Sequence, residues 1–376
     1  MRKIAYILHG LAAGGTEGFV LNVVKKLDRR KYDITFILAL DDDGNSRQFR
    51  EDEAEALGVH IYRTCDLGSL GKIRLHYKKL KQILKETGPY DVVHGNMDLL
   101  NAVNLLAAKR TGIKVRICHS HNSKSQYAVN SLKKVLVSCY RFVMKSLIWH
   151  NATIMLGCAE EANDYLYGKR WRNSNKCHVL YNGIDLERFQ DCKVDREKYR
   201  KELNIPERDG IYLMTVGRFN EQKNPIFLYE IVKEMVHLEP RIQFSWIGNG
   251  DLRNKIEERA QKENMQDHIH FLGNRKDVPE IMKCHEGFLL PSLFEGFALV
   301  TIEAQAAELK CFCSDRITRD VDCGLCHFIS LDKSAKEWAE KILQILVLRL
   351  EAEVSKERLE RCSINQTVRM LEKYYS

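Results

Sequence analysis

The chain has 376 residues, 44% hydrophobic and 29% charged, with a formal net charge of +8. That length exceeds one ordinary core and predicts two domains of a soluble globular protein, while no apolar run reaches the ~18 residues that a membrane-spanning helix needs. Twelve cysteines without an export signal predict free thiols in a reducing, cytoplasmic compartment rather than a disulfide framework, the apolar N-terminal stretch being too short for a signal peptide. The charge is uneven. Residues 1–190 carry 30 Lys and Arg against 19 Asp and Glu, so the first half is expected to meet an anionic partner: nucleic acid, a membrane surface or a phosphorylated substrate.

Residues 3–9 alternate and are rich in Ile, Tyr and Leu, which predicts a strand. The loop 10–16 holds Gly14 and Gly15, and a helix starts at Glu17 with apolar Phe19, Val20, Val23, Val24 and Leu27. A second strand over 33–40 completes the opening of a doubly wound parallel sheet. The loop lacks G-x-G-x-x-G, and no acidic residue caps the second strand at the dinucleotide position. Gly14 and Gly15 read either as a phosphate contact or as a tight turn. Asp41, Asp42 and Asp43 read as a metal-binding D-x-D or, more commonly, as an acidic turn. A short strand is predicted over 58–62.

Two basic amphipathic helices follow. Over 72–85, Ile73, Tyr77, Leu80 and Leu84 form one face and Lys72, Arg74, Lys78, Lys79, Lys81 and Lys85 fill the rest. Over 131–149, Lys134, Ser138, Arg141 and Lys145 form a narrow polar stripe beside Leu136, Tyr140, Phe142, Val143, Leu147 and Trp149. Each reads as an outer helix with a wet edge or as a helix lying on anionic lipid. Between them come a strand over 91–94, a helix over 99–110 and a strand over 114–118. That strand runs into His119 and His121, placed beyond its C-terminal end where such folds contact ligands. A strand over 152–157, a helix over 159–167 and a strand over 178–180 close the first domain.

The turn Asn182-Gly183-Ile184-Asp185 leads into a charged stretch, 185–208, read as the interdomain connector. The pattern then restarts, with strands over 211–216, 243–247, 268–272 and 287–290, and helices over 226–236 and 279–284. Arg218 and Lys223 stand in the loop after the first of these strands, suited to neutralising a diphosphate. The stretch 291–305 breaks at Glu295-Gly296 and enters a helix over 298–309. Glu295 falls in the loop and Glu303 about a turn into the helix. Backbone amides of Gly296, Phe297, Ala298, Leu299 and Val300 point out of its N-terminus, a place that favours anions. Cys311, Cys313, Cys323 and Cys326 do not have zinc-knuckle spacing, and no metal is expected.

Taken together and in order, Gly14-Gly15-Thr16-Glu17, Asn182-Gly183-Ile184-Asp185, Val216-Gly217-Arg218 with Lys223-Asn224, Ile247-Gly248-Asn249-Gly250, Phe271-Leu272-Gly273 and Pro291-Ser292 through Glu295-Gly296-Phe297 to Glu303-Ala304 resemble retaining glycosyltransferase family 4. Within it the chain is most similar to bacterial exopolysaccharide and capsule transferases. The resemblance covers nearly the whole chain and implies an α/β GT-B fold, two Rossmann-like doubly wound domains facing a central cleft. The first, 1–185 with a returning helix at about 358–376, would be the acceptor domain, and 186–357 the nucleotide-sugar donor domain.

By the same resemblance, Glu303 would bind the donor ribose and Glu295 a hydroxyl of the donor sugar. Arg218 and Lys223, with the backbone of Phe297, Ala298, Leu299 and Val300, would hold the diphosphate. Gly14 and Gly15 would approach it from the first domain, with Gly248, Arg275 and Gly296 completing the donor contacts. His121 matches the family's active-site histidine, with His119 open as an alternative. The chain departs from the family at Glu308-Leu309-Lys310, where Gly-x-Pro is usual, and at the later acidic loop 315–320.

The implied reaction is transfer of a hexosyl unit, with retention, from a UDP- or GDP-linked sugar to a hydroxyl of a glycan, lipid-carrier-linked and at an anionic membrane surface. Metal and cofactor are not required. The alternatives are a nucleotide-sugar 2-epimerase of the same fold, or a non-catalytic glycan-binding or assembly subunit. Nucleic acid is not expected, because the basic helices lack interleaved stacking aromatics.

Overall fold

The computed structural model describes residues 1–12, 14–41, 47–122, 134–206, 209–347 and 353–376. Contacts divide the chain into two compact units, 1–183 with 364–376, and 184–363.

The first unit is built on strands β1 (Arg2–Leu8), β2 (Tyr32–Leu38), β3 (His60–Arg63), β4 (Val92–Gly95), β5 (Val115–Ser120), β6 (Ile154–Gly157) and β7 (Cys177–Val179). They form a parallel sheet in the order β3-β2-β1-β4-β5-β6-β7. Helices α1 (Gly15–Lys26), α2 (Glu51–Ala56), α3 (Leu70–Glu86), α4 (Asn101–Arg110), α5 (Lys134–Asn151) and α6 (Glu160–Tyr167) make the connections. Central strands buried on both faces read as near-continuous apolar runs, which is why β1 and β2 were legible. Leu80 and Leu84 of α3 and Ala107 and Ala108 of α4 close over Ala5, Ile7, Ile37 and Val93. Met144 and Ile148 of α5 and Leu166 and Tyr167 of α6 close over Cys118 and Met155.

The second unit opens with α7 (Leu186–Gln190) and α8 (Arg196–Glu202). The stretch read as a connector is therefore, over its described part, an integral piece of this unit. Leu186, Phe189, Leu203 and Ile205 are buried, the Arg200 guanidinium lies 3.5 Å over the Tyr212 ring, and it donates at 2.7 and 3.0 Å to the Cys284 carbonyl. A few widely spaced apolar anchors in a highly charged segment suffice to dock it, and periodicity does not display them. Arg208 lies outside the described residues.

The sheet holds β8 (Ile211–Val216), β9 (Ile242–Ile247), β10 (Ile269–Gly273), β11 (Gly287–Leu290), β12 (Lys310–Ser314) and β13 (Cys326–Ile329), in the order β10-β9-β8-β11-β12-β13, again parallel. Helices α9 (Pro225–Leu238), α10 (Arg253–Lys262), α11 (Val278–Lys283), α12 (Leu299–Ala306), α13 (Ala335–Val347) and α14 (Lys356–Arg361) connect and cover it. One core joins Leu213, Phe244 and Trp246 of the sheet to Leu228, Val232 and Met235 of α9 and to Trp338 and Ile342 of α13.

Two expectations need correcting here. The helix after Glu295 stops at Ala306, and Glu308 adopts φ +71°, a left-handed conformation that glycine takes at little cost. Where the family usually has glycine, this chain puts a strained glutamate. The single helix expected over 358–375 is two, α14 and α15 (Ile364–Tyr375). Between them the Cys362 carbonyl accepts the Ile184 amide at 2.8 Å, and Ser363 pairs with Ile184 in a parallel bridge. Backbone groups used in that pairing cannot also continue a helix. Returning to the first unit, α15 packs against α1.

Candidate functional site

In doubly wound sheets ligands bind beyond the strand C-termini where the strand order reverses. In the second unit that point lies between β8 and β11, which pair through Gly287 with Leu213 and Phe288 with Met214. The loops that follow these strands are therefore neighbours, although some seventy residues separate them in sequence. They are stitched together. The Leu293 amide donates to the Gln222 carbonyl at 2.9 Å, and the Asn224 side chain donates to the Pro291 carbonyl at 3.3 Å. Asn224 itself is left-handed, φ +54°, where the chain leaves the loop for α9.

This arrangement places Lys223 against Glu295. The ammonium Nζ lies 2.7 Å from Glu295 Oε1, with the carboxylate side chain only 9% exposed and the lysine 21%. The Gln222 amide donates at 3.4 Å to the other oxygen, Oε2. Arg218, four residues ahead of Gln222, is exposed. Glu303 stands one turn into α12, half-buried. The helix begins at Leu299 after Ala298, which offers no side-chain cap. Gly296, Phe297 and Ala298 are buried, and Leu299 and Val300 are half-buried. Among the described residues the amides of Ala298 and Val300 have no acceptor, so they remain donors for an anion.

Gly248 belongs to this floor by necessity. It has φ +134°, and a Cβ there would lie 2.0 Å from the Gly217 carbonyl oxygen. The loop after β9 thus presses directly on the loop after β8. Arg275 turns elsewhere. It makes a bidentate pair with Asp277, at 2.8 and 2.5 Å, and Asp277 also accepts from the Tyr199 hydroxyl of α8.

The first unit offers a different chemistry. Strand β5 runs through Ser120, so His119 is a fully buried strand residue and not a loop residue, and His121 follows immediately after the strand. The Asn96 side-chain nitrogen donates to the His94 carbonyl at 3.1 Å, leaving its oxygen to accept from His121 Nε2 at 2.9 Å. The Asn182 amide then donates to His121 Nδ1 at 3.2 Å. These partners define a neutral imidazole with its proton on Nε2. The Asp98 carboxylate accepts the His121 backbone amide at 3.2 Å from a left-handed backbone, φ +44°.

His119 lies with its ring centroid 4.2 Å from that of His121, tilted by 34°, and shares a 3.2 Å hydrogen bond with His94. His94 is bonded in turn to the Tyr375 hydroxyl of α15 at 2.8 Å. Burial without a carboxylate partner pushes the His94 and His121 pKa values down to about 3, and lowers that of His119 as well. Asn96, Asp98 and Asn182 were not singled out as a group in the sequence. Only Asn182 carried a signal, the Asn-Gly turn.

Gly14 and Gly15 open α1, and a Cβ added at Gly15 would meet no atom within 4 Å. Neither positive φ nor packing in this unit demands glycine there. The tight-turn explanation therefore has no support at Gly15.

Of the two basic helices, α3 has the expected apolar and basic sides and α5 does not. In α3, Leu80, Leu84 and His76 are buried, and Arg74, Lys78 and Lys85 are exposed, as is Leu75. In α5 the polar stripe is wet only in part, at exposed Ser138. Arg141 and Lys145 are half-buried, Lys145 donating to the Tyr165 carbonyl, while Phe142 is 76% and Val143 53% exposed. Lys134 and Leu136 side chains, Ser131, Asp42 and Asp43 lie outside the described residues; Asp41 pairs with Lys72 at 3.3 Å. Among the described residues no helix is long and apolar enough to cross a membrane, no group of three or more His, Cys, Asp or Glu converges as a metal site, and the cysteines are free thiols.

Two Rossmann-like parallel-sheet units of this kind define the GT-B class, as expected. The comparisons agree: residues 13–188 match Glycosyltransferase Family 4 and residues 195–365 match Glycosyl transferases group 1. The chain is 32% identical over 345 residues to EpsF of Bacillus subtilis (strain 168), described as a glycosyltransferase, covering 91% of this chain and 87% of that protein. It is 27% identical over 316 residues to the UDP-Gal:alpha-D-GlcNAc-diphosphoundecaprenol alpha-1,3-galactosyltransferase of Escherichia coli, covering 83% and 79%. Among solved structures, Anabaena Alr3699/HepE in complex with UDP and glucose superposes with a TM-score of 0.80 at 16% identity, covering 99% of each chain. The chain belongs to this glycosyltransferase family, and it is also 26% identical over 310 residues to the capsular polysaccharide biosynthesis glycosyltransferase CapH of Staphylococcus aureus, covering 81% of this chain and 79% of that protein.

Proposed function

We propose that the protein transfers a hexosyl unit, with retention at the anomeric carbon, from a nucleotide-diphosphate sugar to a hydroxyl of a lipid-carrier-linked glycan in surface polysaccharide synthesis. The observation that carries this reading is the Lys223–Glu295 pair at 2.7 Å, beside the exposed Arg218 and the uncapped start of α12. A cation and a carboxylate brought together over an amide-rich helix end suit a ligand that is anionic at one end and rich in hydroxyls at the other. Arg218, Lys223 and the backbone of Phe297, Ala298, Leu299 and Val300 take the diphosphate, Glu303 the ribose, and Glu295 a sugar hydroxyl. As the glycosidic bond to the diphosphate breaks, negative charge grows on the leaving oxygen, and fixed cations and amides offset it without reorganising. Neither carboxylate is assigned a nucleophilic role, because Glu295 is engaged on both oxygens.

In the first domain, Gly14 and Gly15 let a phosphate approach the start of α1. His121, neutral and with its tautomer set, shapes the surface around the reacting sugar and does not transfer a proton. The E. coli relative's diphosphoundecaprenol substrate supports a lipid-linked acceptor, and the Anabaena complex with UDP and glucose supports a UDP-linked donor. Exposed Phe142 and Val143 beside Arg141 support contact with an anionic membrane surface.

A thermal-shift panel of UDP-, GDP- and ADP-linked sugars tests the donor, because a ligand that binds only the folded state raises apparent stability. Stabilisation by at least one of them, with sugar transferred to a diphospholipid glycan, is the expected result; stabilisation by none sinks the donor site. Flotation with anionic and with neutral liposomes tests the membrane contact, which predicts preference for the anionic ones.

A further inference from the structure

Gln222 binds three consecutive residues of the loop that carries Glu295. Its carbonyl accepts the Leu293 amide at 2.9 Å. Its side-chain NH2 donates to the Phe294 carbonyl at 3.1 Å and to Glu295 Oε2 at 3.4 Å. Both groups facing that side-chain nitrogen are acceptors, which settles the amide orientation. The next residue, Lys223, holds the other carboxylate oxygen. Two adjacent residues of one loop thus grip both oxygens of a nearly buried carboxylate in another.

Their own anchorage differs. The Lys223 amide donates to the Asn220 side chain at 3.2 Å and Asn220 caps the turn over 221–223, so Lys223 keeps its place without the Gln222 side chain. The Gln222 side chain has no such duty towards Lys223, and its hydrogen bonds point across to the glutamate loop.

We infer that Gln222 is a positioning residue for the donor sugar: it orients the Glu295 carboxylate for sugar hydroxyls and leaves diphosphate binding to Arg218 and Lys223. This rests on the reading of Glu295 as the sugar contact. A neutral amide is suited to the task. It satisfies Oε2 without a second positive charge, so the carboxylate keeps acceptor capacity for hydroxyl groups. Gln222 therefore contributes to affinity for the nucleotide sugar and little to affinity for the bare nucleotide diphosphate. A hydrogen bond to a charged group sets the scale, about tenfold or more in binding.

The test compares affinities for UDP-glucose and UDP, and for GDP-mannose and GDP, in wild type, Gln222→Leu and Gln222→Glu by calorimetry, with melting temperatures as a folding control. Gln222→Leu keeps the length and removes the donor. Gln222→Glu keeps the shape and turns an acceptor towards Glu295. The expected result is that both variants lose about tenfold of the preference for the nucleotide sugar over its diphosphate, while diphosphate affinity stays within about twofold. Equal loss for sugar and diphosphate assigns Gln222 to general loop integrity and overturns the inference, as does an unchanged preference in a folded variant. Should one variant fail to fold, the other decides. Binding of none of these ligands to the wild type overturns the donor-site reading and the inference with it, which separates that failure from the failure of Gln222 alone.

Discussion

Both sheets gather candidate functional groups at the C-terminal ends of neighbouring strands, at β4 and β5 in one and at β8 and β11 in the other, and equip them with opposite chemistry. In the first unit three imidazoles, His94 within β4, His119 within β5 and His121 just past β5, are buried, partnered by amides, one another and a tyrosine, and held uncharged, and burial also raises the pKa of the Asp98 carboxyl beside them. Beyond β8 and β11 the second presents full charges, with Lys223 against Glu295 and Arg218 in solvent. Strand order supplies only a location. What can be bound there depends on whether the charges are solvated or compensated, since an uncompensated buried charge is expensive. A neutral hydroxyl acceptor suits the first setting and an anionic donor the second.

The largest expected effect breaks the charged side of that contrast. Arg218→Ala and Lys223→Ala should each lower turnover about 10²–10³-fold. The melting temperature should change little in Arg218→Ala, whose side chain is exposed, and fall in Lys223→Ala, which leaves the nearly buried Glu295 carboxylate without its cation. Wild-type rates in both variants with the true donor would remove the charged site altogether.

Acid sharpens the neutral side. An unfolded histidine takes a proton below about pH 6.5, whereas folded His94 and His121 wait until about 3. Stability is therefore full above pH 6.5 and falls as pH drops towards 3, by about 1.4 kcal/mol per pH unit for each such histidine. Denaturant melts of wild type and His121→Gln across that window should show a shallower loss in the variant. Parallel curves would mean that His121 is charged in the native protein.

Smaller effects probe the backbone. Glu308→Gly relieves a left-handed glutamate and should stabilise the protein by about 1 kcal/mol, read by denaturant midpoint and with turnover unchanged. Gly15→Ala should raise stability by about 0.5 kcal/mol, since the helix start has room for a methyl group, yet lower turnover if a phosphate must approach there. Retained turnover would remove the phosphate contact at Gly15.

Much of the fold was legible because apolar strands alternating with amphipathic helices announce a parallel sheet, and β1, β8 and β11 lay within a residue or two of their expected limits. The α7 and α8 segment was misread because four buried anchors in a charged stretch leave no periodic trace. Strand β5 was cut short because histidines do not look like strand interior, although His119 is fully buried there. The charged residues of the candidate site, Lys223 and Glu295 among them, could be singled out from their motif. Their partners could not, and Gln222, Asn96 and Asp98 passed unnoticed as ordinary polar residues.

By itself the sequence determined the class of protein, the two repeated α/β units and the identity of the charges, because those rest on local composition and on motif order. Only the tertiary structure decided that Lys223 and Glu295 share an ion pair, that Gln222 spans to the glutamate's loop, and that His121 is neutral with both nitrogens engaged. The physical reason is pairing between strands distant in the chain. When β8 lies beside β11, and β4 beside β5, loops that the sequence keeps apart become neighbours, and a residue's charge state depends on who those neighbours are.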